Sequence, residues 1–449
     1  MKIISLRIIL FFSLVVLFGT STISLSYSIE VSDDPRIVII DDEGNGCEQI
    51  GKWNKNSRTC LLTQDIEKYL WIEGSNLTLD GNEHHVQLNK ENYMPKLTID
   101  NKQVHTSTIY VLGNNIIIKN IRIEGFPIKF NQSMKDDSYG INCRQTEKIQ
   151  ITDSEFFDHK VGIICNNAEI KNNKFFSNEY AIKSLNTKII NNEFHDNYIS
   201  IELYKNNIVE KNIIKNSNYI GIKISDIGNT ITKNLIQHSG SPFRCVSCNG
   251  NTIFYNNFLD NQNEPSAGYD YVAGGNYWNT FDSKSEGCTI IPSSNFCQTS
   301  LVFGSFKDPS PWRIQDGWLY DIDVPDDIQT TTQNSDGKSI DFSVSATGPD
   351  GSVKVTCSPS SNSIFPIGKT QVICSTPIGV VSSFFVTVLD ANVIAQKQQQ
   401  QSFESGLIGF LKLSSLGLGI FLVILIFRTR KRKNLRIKQN ANTRRTEKN

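Results

Sequence analysis

Residues 151–194 read ITDSEFFDHKVGIICNNAEIKNNKFFSNEYAIKSLNTKIINNEF, and this stretch decides the fold. It repeats one six-residue pattern three times, at 151–156, 170–175 and 189–194: an aliphatic residue, any residue, a polar residue, any two residues, and a large apolar residue. Three more copies begin at residues 208, 231 and 253, so the starts are 19, 19, 19, 23 and 22 residues apart. Self-similarity at a period of about twenty residues indicates a repeat architecture.

A second repeat lies between these copies, in the same phase. A small or bend-tolerant residue precedes an apolar one at residues 140, 162, 181, 200, 221 and 242. A unit this short cannot bury its own apolar face, and the short β-branched runs lack helical periodicity. We therefore predict an all-β fold, a right-handed parallel β-helix with coils about 4.8 Å apart. One interior stack is expected to contain Phe156, Phe175, Phe194, Ile213, Ile236 and Phe258.

Asparagine pairs such as Asn172-Asn173 and Asn191-Asn192 recur at the turn after the first apolar residue of the pattern. Asparagine tolerates the left-handed backbone conformation, and stacked side-chain amides can form hydrogen bonds along the rod axis. The high asparagine content is therefore predicted to be architectural, and it does not indicate a binding site.

The ten cysteines indicate an oxidising compartment, and they fall into sequence neighbours. Residues 140–143 align with residues 162–165, which places Cys143 and Cys165 at one position of successive coils, about 4.8 Å apart and within disulfide range. Zinc is the competing interpretation, but only Cys245 and Cys248 have C-x-x-C spacing. The predicted disulfides are Cys47–Cys60, Cys143–Cys165, Cys245–Cys248, Cys288–Cys297 and Cys357–Cys374.

Both ends of the chain carry membrane-directed signals. Residues 1–28 have the layout of a signal peptide, with basic residues followed by a short apolar core. Residues 407–427 form an apolar run interrupted by Lys412, long enough at 1.5 Å per residue for one transmembrane helix. The basic tail, 428–449, places the C-terminus in the cytoplasm and the ectodomain outside the cell.

The zero net charge conceals an acidic body. Between Ile29 and Phe427 the chain has 33 basic and 44 acidic residues, a net charge of −11. Such a body repels phosphate backbones, which argues against nucleic acid as a partner.

Residues 76–280 resemble the NosD-type, pectin-lyase-like right-handed β-helix proteins. Leu77–Val86 (LTLDGNEHHV) is similar to the first coil of that family, and residues 275–278 (GNYW) resemble the segment that often closes such helices. Members of the family include glycan-binding and glycan-processing proteins and a periplasmic factor linked to copper-site maturation. This resemblance therefore predicts the fold better than it predicts a function.

Residues 333–390 resemble a hyalin-repeat (HYR) domain, an immunoglobulin-like β-sandwich associated with adhesion. The similarity is carried by VTCSP at 355–359, FPIGKTQVIC at 365–374 and FFVTVLD at 384–390. It implies a disulfide between Cys357 and Cys374. Pro377-Ile378-Gly379 stands where the family usually has Asp and Gly-Asn, which weakens any ligand role of that loop.

The expected organisation has eight parts. They are a signal peptide (1–28), an N-terminal cap region (29–75), the β-helix (76–280), a Cys/Trp-containing closing segment (281–332), the HYR-like sandwich (333–390), a linker (391–406), the transmembrane helix (407–427) and the cytoplasmic tail (428–449).

The sequence gives little support for catalysis. Asp136-Asp137 faintly resembles a polygalacturonase segment, but the other motifs of that family are missing, and a solvated acidic loop is the preferred interpretation. Calcium-assisted lyase chemistry would need stacked acids; Asp153, Asp158 and Asp196 are candidates that occupy different pattern positions. A copper site would draw on His84-His85 with His105, since His159, His195 and His238 do not align. We expect neither a cofactor nor a metal.

Binding has better support. Aromatic and acidic residues gather near the C-terminal end of the predicted β-helix, a combination that suits sugar rings. The glycan-binding candidates are Tyr269, Asp270, Tyr271, Tyr277, Trp278 and Asp282. The competing interpretation is that these aromatic residues cap the last coil. Asn76 and Asn131 begin glycosylation sequons.

The sequence therefore predicts a non-catalytic, single-pass cell-surface protein that recognises glycans or other surface proteins. An envelope polysaccharide-modifying enzyme (a hydrolase or lyase) and a NosD-like copper-handling factor are the alternatives.

Overall fold

The computed structural model of the chain describes residues 35–88, 97–99, 102–104, 107–125, 138–268 and 271–443. Only the course of the backbone is described for 97–99, 102–104, 409–417 and 435–443. The predicted signal peptide and several singled-out residues lie outside the described residues. The latter are Tyr269, Asp270, Asn131, Asp136, Asp137 and His105.

Three long parallel sheets run through the first part of the chain, as a parallel β-helix requires. Each complete coil contributes one strand to each sheet in turn. Sheet 1 contains Ile37–Ile40, Tyr69–Ile72, Ser107–Val111, Tyr139–Cys143, Val161–Asn166, Tyr180–Leu185, Ile199–Leu203, Ile220–Ile224 and Ser241–Cys245. Sheet 2 contains Gly51–Asn54, Thr59–Leu62, Leu77–Asp80, Ile116–Lys119, Ile149–Thr152, Ala168–Lys171, Lys188–Ile190, Ile208–Glu210, Thr230–Thr232, Thr252–Phe254 and Val272–Gly274. Sheet 3 contains His85–Gln87, Arg122–Glu124, Glu155–Phe157, Lys174–Phe176, Glu193–His195, Ile213–Lys215, Leu235–Gln237, Asn257–Leu259 and Tyr277–Trp278.

The β-helix begins earlier than predicted. Ile37–Ile40 pairs in parallel with Tyr69–Ile72 in sheet 1, and Thr59–Leu62 pairs in parallel with Leu77–Asp80 in sheet 2. The region expected to form a separate cap therefore supplies the first strands of two sheets. A hairpin of Gly51–Asn54 with Thr59–Leu62 is the antiparallel element at this end.

Equivalent side chains contact one another along the interior. Phe156, Phe175 and Phe194 are buried, and their ring centroids are 4.9 Å apart in each successive pair, with interplanar angles of 11° and 7°. Continuous apolar contact of this kind supplies the main driving force for stacking the coils, at about 25 cal/mol per Å² of buried apolar surface.

The predicted stack is wrong at one position. Phe194 pairs with Ile214, and Ile214 pairs with Ile236, so Ile214 and not Ile213 occupies the interior. The first position of the same copy of the pattern is shifted too, because Ile208 is 38% exposed and Val209 is buried. The turn after Leu203 contains one residue more than the equivalent turn after Ser184, and this extra residue shifts the following coil by one.

Buried asparagines form a hydrogen-bonded ladder at the turn between sheets 2 and 3. Each amide donates its Nδ2–H to the Oδ1 of the equivalent residue one coil further on, and that same Oδ1 also accepts the backbone N–H. The preceding residue adopts the left-handed conformation, with φ of 58° at Asn172 and 55° at Asn191. The ladder consists of Asn173, Asn192, Asn212, Asn234, Asn256 and Asn276.

Two shorter ladders support the other turns. Between sheets 1 and 2, the backbone N–H groups of Thr187, Asn207 and Asn229 donate to the Oδ1 of Asn207, Asn229 and Asn251. At the turn between sheets 3 and 1, Asn178 donates to Asn197 and its own Oδ1 accepts the backbone N–H of His159. The architectural role predicted for asparagine is thus confirmed.

The five cysteine pairs grouped from the sequence are all disulfide-bonded, and the described cysteines include no free thiol. Cys143 and Cys165 pair in register in sheet 1, with Cα atoms 4.6 Å apart. This bond therefore links two successive coils, as the alignment of the two segments predicted.

The chain divides into two compact units. The first is Met1–Tyr320 with Ile378–Val380, and the second is Asp321–Pro377 with Val381–Asn449. The second unit thus begins before residue 333, the predicted start of the sandwich. Within it, a four-stranded sheet joins Ile328–Thr332, Val381–Asp390, Gly368–Ser375 and Thr356–Ser358, and smaller sheets contain Asp321–Asp323, Ser345–Gly348, Gly351–Ser352, Lys338–Ser339 and Ile364–Phe365.

The second unit ends in an α-helix, Ala391–Thr443. This helix includes residues 391–406, which were expected to form a linker. Among the residues that the structure describes, no helix has a stretch both long and apolar enough to cross a membrane. The side chains of 409–417, which belong to the predicted span and include Lys412, lie outside the described residues.

Asn192→Ala is expected to lower the free energy of unfolding of the β-helix by at least about 3 kcal/mol, because several buried backbone groups lose their partner at once. The amide donates to the carbonyls of Ile170 and Ile190 at 2.9 and 3.1 Å, and it accepts the N–H of Asn173 at 2.9 Å. Urea unfolding measures the loss. The control is Asn191→Gly, an exposed left-handed position where glycine fits, and an equal loss there would contradict the ladder.

His159→Asn is expected to make the β-helix less sensitive to acid. His159 is fully buried at a ladder position; its Nε2 lies 3.3 Å from the Ile123 carbonyl oxygen, and its Nδ1 has no partner among the described residues. Burial lowers the pKa of His159 to about 4. Between pH 6.5 and 4 the unfolded chain therefore binds the extra proton, and stability falls by on the order of 3 kcal/mol as the pH falls.

Urea unfolding at pH 7.5 and pH 4.5 checks this prediction. His159→Asn should lose less stability over that interval than the unmodified chain, because asparagine occupies the equivalent position in the next coil, at Asn178. His238→Asn provides the control, because it removes an exposed histidine and leaves the buried one in place. Identical pH profiles for the unmodified chain and His159→Asn would disprove the prediction.

Candidate functional site

The described aromatic residues of the predicted glycan site close the end of the β-helix. Trp278 is 3% exposed, and its ring packs against Phe258, Phe303 and Phe306 with centroids 4.2, 5.4 and 5.6 Å away. Its Nε1 donates to Asp308 at 3.2 Å. This ring therefore packs mainly into the core.

The neighbouring candidates are also engaged within the fold. Tyr277 is buried and donates its hydroxyl to Asp282 at 2.6 Å, and burial followed by this hydrogen bond raises the pKa of Tyr277. The Tyr271 ring stacks on Phe306, and its hydroxyl donates to the carbonyl of Ser305. Tyr271, Tyr277, Trp278 and Asp282 thus hold the closing segment against the last coil.

Asp308 terminates the longest asparagine ladder. One of its carboxylate oxygens accepts the backbone N–H of Asn276 at 3.2 Å, the amide of Asn276 at 3.0 Å and the indole of Trp278. Burial raises the pKa of Asp308, and the donated hydrogen bonds oppose that shift. This residue occupies the position of the next ladder oxygen, so it satisfies donors that the last coil would otherwise leave unpaired.

A depression of about 460 Å³ lies beside this end. Its floor is apolar, with Phe258, Trp278 and Phe303, and its rim carries amides. Several rim groups already have partners: Asn261 donates to the Ile236 carbonyl, and Asn279 exchanges hydrogen bonds with Asp260. Asn261 and Asn279 are therefore engaged within the fold.

A more strongly polar surface lies on the outer face of sheet 1. The residues that follow its buried apolar row point outward and pair across four successive strands in register: Lys183, Glu202, Lys223 and Arg244. Together with Tyr180, Tyr198, Tyr204 and Tyr219, they are called the sheet 1 face below. Three cations and one carboxylate make this surface locally basic on an acidic body.

Glu202 holds the two lysines of the sheet 1 face in place. Its Oε1 lies 2.7 Å from Lys223 Nζ, its Oε2 lies 3.1 Å from Lys183 Nζ, and Ser225 donates to Oε1 at 3.2 Å. Burial alone would raise the pKa of Glu202, but hydrogen bonds from the two lysines lower it below the ordinary value. The carboxylate is therefore ionised at neutral pH, although its side chain is only 5% exposed.

Tyrosines flank this charged row on both sides. Tyr204 and Tyr219 are 38% and 41% exposed, and the rings of Tyr198 and Tyr219 stack with centroids 5.2 Å apart. Arg244 donates to the Tyr219 hydroxyl at 2.8 Å, and Lys183 Nζ lies 3.5 Å above the centroid of the Tyr180 ring. Aromatic rings beside hydrogen-bond donors form a surface that can bind a sugar.

The sequence contained the signal for this surface. Lys183, Glu202, Lys223 and Arg244 each follow the apolar residue of the second repeat directly, and strand alternation places such residues on the outer face. The sequence interpretation used this repeat only for the interior, so the outward row was missed.

The catalytic candidates do not assemble in the described residues. Asp153 lies at the turn between sheets 2 and 3, whereas Asp158 and Asp196 lie at the turn between sheets 3 and 1, all in the left-handed conformation. Asp158 and Asp196 share one position two coils apart, with Ser177 between them, which corrects the expectation that none of the three align. Burial, followed by repulsion from Glu124, raises the pKa of Asp158.

The histidine pair is placed on sheet 3 and the turn before it. His84 Nδ1 lies 3.2 Å from Asp65 Oδ1, and His85 Nδ1 lies 3.8 Å from Glu124 Oε1. Within the described ranges, no three His, Cys, Asp or Glu side chains come close enough to hold a metal ion.

The sequon residue Asn76 lies in an exposed turn with φ of 55°. Its Oδ1 accepts a hydrogen bond from Asn115 at 2.9 Å. Its glycosylation stays a prediction.

Comparison with known proteins identifies the β-helix. Residues 75–293 match the family model described as periplasmic copper-binding protein (NosD). This region is NosD-like. The match covers the three sheets from Leu77 onward, and it does not extend to the second unit, where the HYR resemblance stays a prediction.

No curated protein matches the chain. Among solved structures, ORF18 of Geobacillus virus E2 is similar over 76% of this chain and 76% of that chain, with 10% sequence identity and a TM-score of 0.27. A similarity at this level carries no argument about function.

Trp278→Ala is expected to destabilise the NosD-like β-helix by about 3–5 kcal/mol, because it leaves a cavity at the closing end and leaves Asp308 without one of its donors. Thermal or urea unfolding measures the effect. If Trp278→Ala left the unfolding midpoint unchanged but abolished glycan binding, the structural role would be contradicted. The interpretation of Trp278 as a glycan-binding residue would then be favoured.

Proposed function

We propose that this chain is a membrane-anchored surface protein that recognises glycans, without catalysis, through the sheet 1 face. The observation that carries the proposal is the row of Lys183, Glu202, Lys223 and Arg244 bordered by four tyrosines. Stacked coils hold these side chains at fixed spacing, so little conformational entropy is lost when an extended ligand binds.

The NosD-like match supports a surface or periplasmic protein. Five disulfides agree with an oxidising compartment. The proposed membrane span is 407–427, and its described part from Leu418 to Phe427 exposes large apolar side chains that water solvates poorly. The proposed HYR-like domain at 333–390 then belongs to the ectodomain, as a domain suited to adhesion.

The test is a glycan array probed with the full chain purified in detergent. The chain is expected to bind a restricted set of glycans, and Tyr219→Ala is expected to weaken that binding by roughly tenfold, because one aromatic contact and the Arg244 hydroxyl partner are lost. Tyr255→Ala is the matched control, because Tyr255 is 39% exposed but lies after sheet 2.

Binding that survives Tyr219→Ala and fails in Tyr255→Ala would refute the sheet 1 face as the site. Absence of any bound glycan would refute the proposed function.

A copper-handling function is the second candidate, because the matching family is described as copper-binding. Under this proposal His84 and His85 would bind the ion, together with ligands outside the described residues. Metal analysis of the full chain should then show stoichiometric copper that is lost in a His84→Ala, His85→Ala double variant. Retention of copper by that variant, or no copper in the unmodified chain, would exclude this proposal.

A further inference from the structure

We propose that the ligand of the sheet 1 face is an acidic polysaccharide, and that the buried Glu202 limits how strongly the face attracts it. This inference rests on the proposed function and adds the chemical class of the ligand. It also assigns Glu202 as a specificity-determining residue.

The first argument is which side chains of the face reach solvent. The side chain of Glu202 is 5% exposed, whereas those of Lys183 and Lys223 are 19% and 27% exposed. The only acceptor of the charged row therefore lies beneath its donors. A ligand meets ammonium and guanidinium groups, which donate hydrogen bonds and cannot accept them, so the matching ligand group is an acceptor and preferably an anion.

The second argument is how the donors are occupied. An ammonium group has three N–H donors, and the described partners of Lys223 consist of Glu202 alone. Lys183 contacts Glu202 and the Tyr180 ring, and Arg244 donates to the Tyr219 hydroxyl with one of its five N–H groups. Each cation thus has donor capacity left for an incoming anion.

The third argument is the spacing. Lys183, Lys223 and Arg244 lie on strands one to three coils apart, so their separations along the rod are multiples of about 4.8 Å. A polymer with regularly repeated carboxylate or sulfate groups can meet several of these cations at once. The flanking tyrosines offer aromatic faces on which sugar rings can stack.

Glu202 works against this attraction. Its negative charge lies within 3.1 Å of both lysine ammonium groups, and it offsets part of their field. Glu202→Gln keeps the shape and can still accept a hydrogen bond from a lysine, but it removes the charge. It should therefore strengthen the binding of an acidic polymer and leave a neutral ligand unaffected.

The experiment measures binding of the full chain to alginate, polygalacturonate and hyaluronate, each beside its carboxyl-reduced, uncharged form. At least one acidic polymer is expected to bind more tightly than its reduced form, with an affinity that falls as salt is added. Lys223→Gln should weaken that binding by roughly tenfold, and Glu202→Gln should strengthen it severalfold. Lys188→Gln on sheet 2 is the matched control and should have no effect.

The outcomes separate this inference from the proposed function. Equal binding of acidic and reduced polymers, with Tyr219→Ala still weakening both, would overturn the acidic ligand and leave glycan recognition standing. Weaker binding by Glu202→Gln, or equal loss in Lys188→Gln and Lys223→Gln, would overturn the roles assigned to the charged row. If none of the polymers binds, the inference fails, and the glycan array alone decides the proposed function.

Discussion

The β-helix depends on hydrogen bonds between the buried amides of successive coils. A turn buried inside a stack leaves backbone N–H and C=O groups that water cannot reach, and each unsatisfied group costs about 1–3 kcal/mol. Asn173, Asn192 and Asn212 satisfy these groups from one coil to the next, and the side chain of each also donates to its successor. Apolar stacking supplies the driving force, but the amides fix the register.

The outer surface of sheet 1 can therefore serve other roles. Because the interior rows and the ladders hold the coils together, outward positions of sheet 1 can carry charged residues. The surface therefore accommodates Lys183, Glu202 and Lys223 side by side, an arrangement that the core would not permit. At the closing end the opposite holds, since Trp278 and Asp308 cover groups that have no further coil above them.

Sequence periodicity was sufficient for the β-helix, the asparagine turns and the Cys143–Cys165 pair, because all three follow from one alignment of coils. It failed at Ile213, since a single extra residue in a turn changes which neighbour points inward, and composition does not reveal turn length. It left two interpretations open for Tyr277 and Trp278, because clustered aromatic residues look the same whether they cap a core or face a ligand. Only the burial of Trp278 at 3% separates these cases.

The extra residue after Leu203 bears on how such a chain can evolve. The ladder continues through it, with Thr187 linked to Asn207, so the turn absorbs the insertion and the strands keep their pairing. Duplication or deletion of a whole coil should be tolerated on the same grounds, because each coil presents donors to the next coil and acceptors to the previous one in the same way. The β-helix can therefore gain or lose length in steps of one coil while Trp278 and Asp308 still close its C-terminal end.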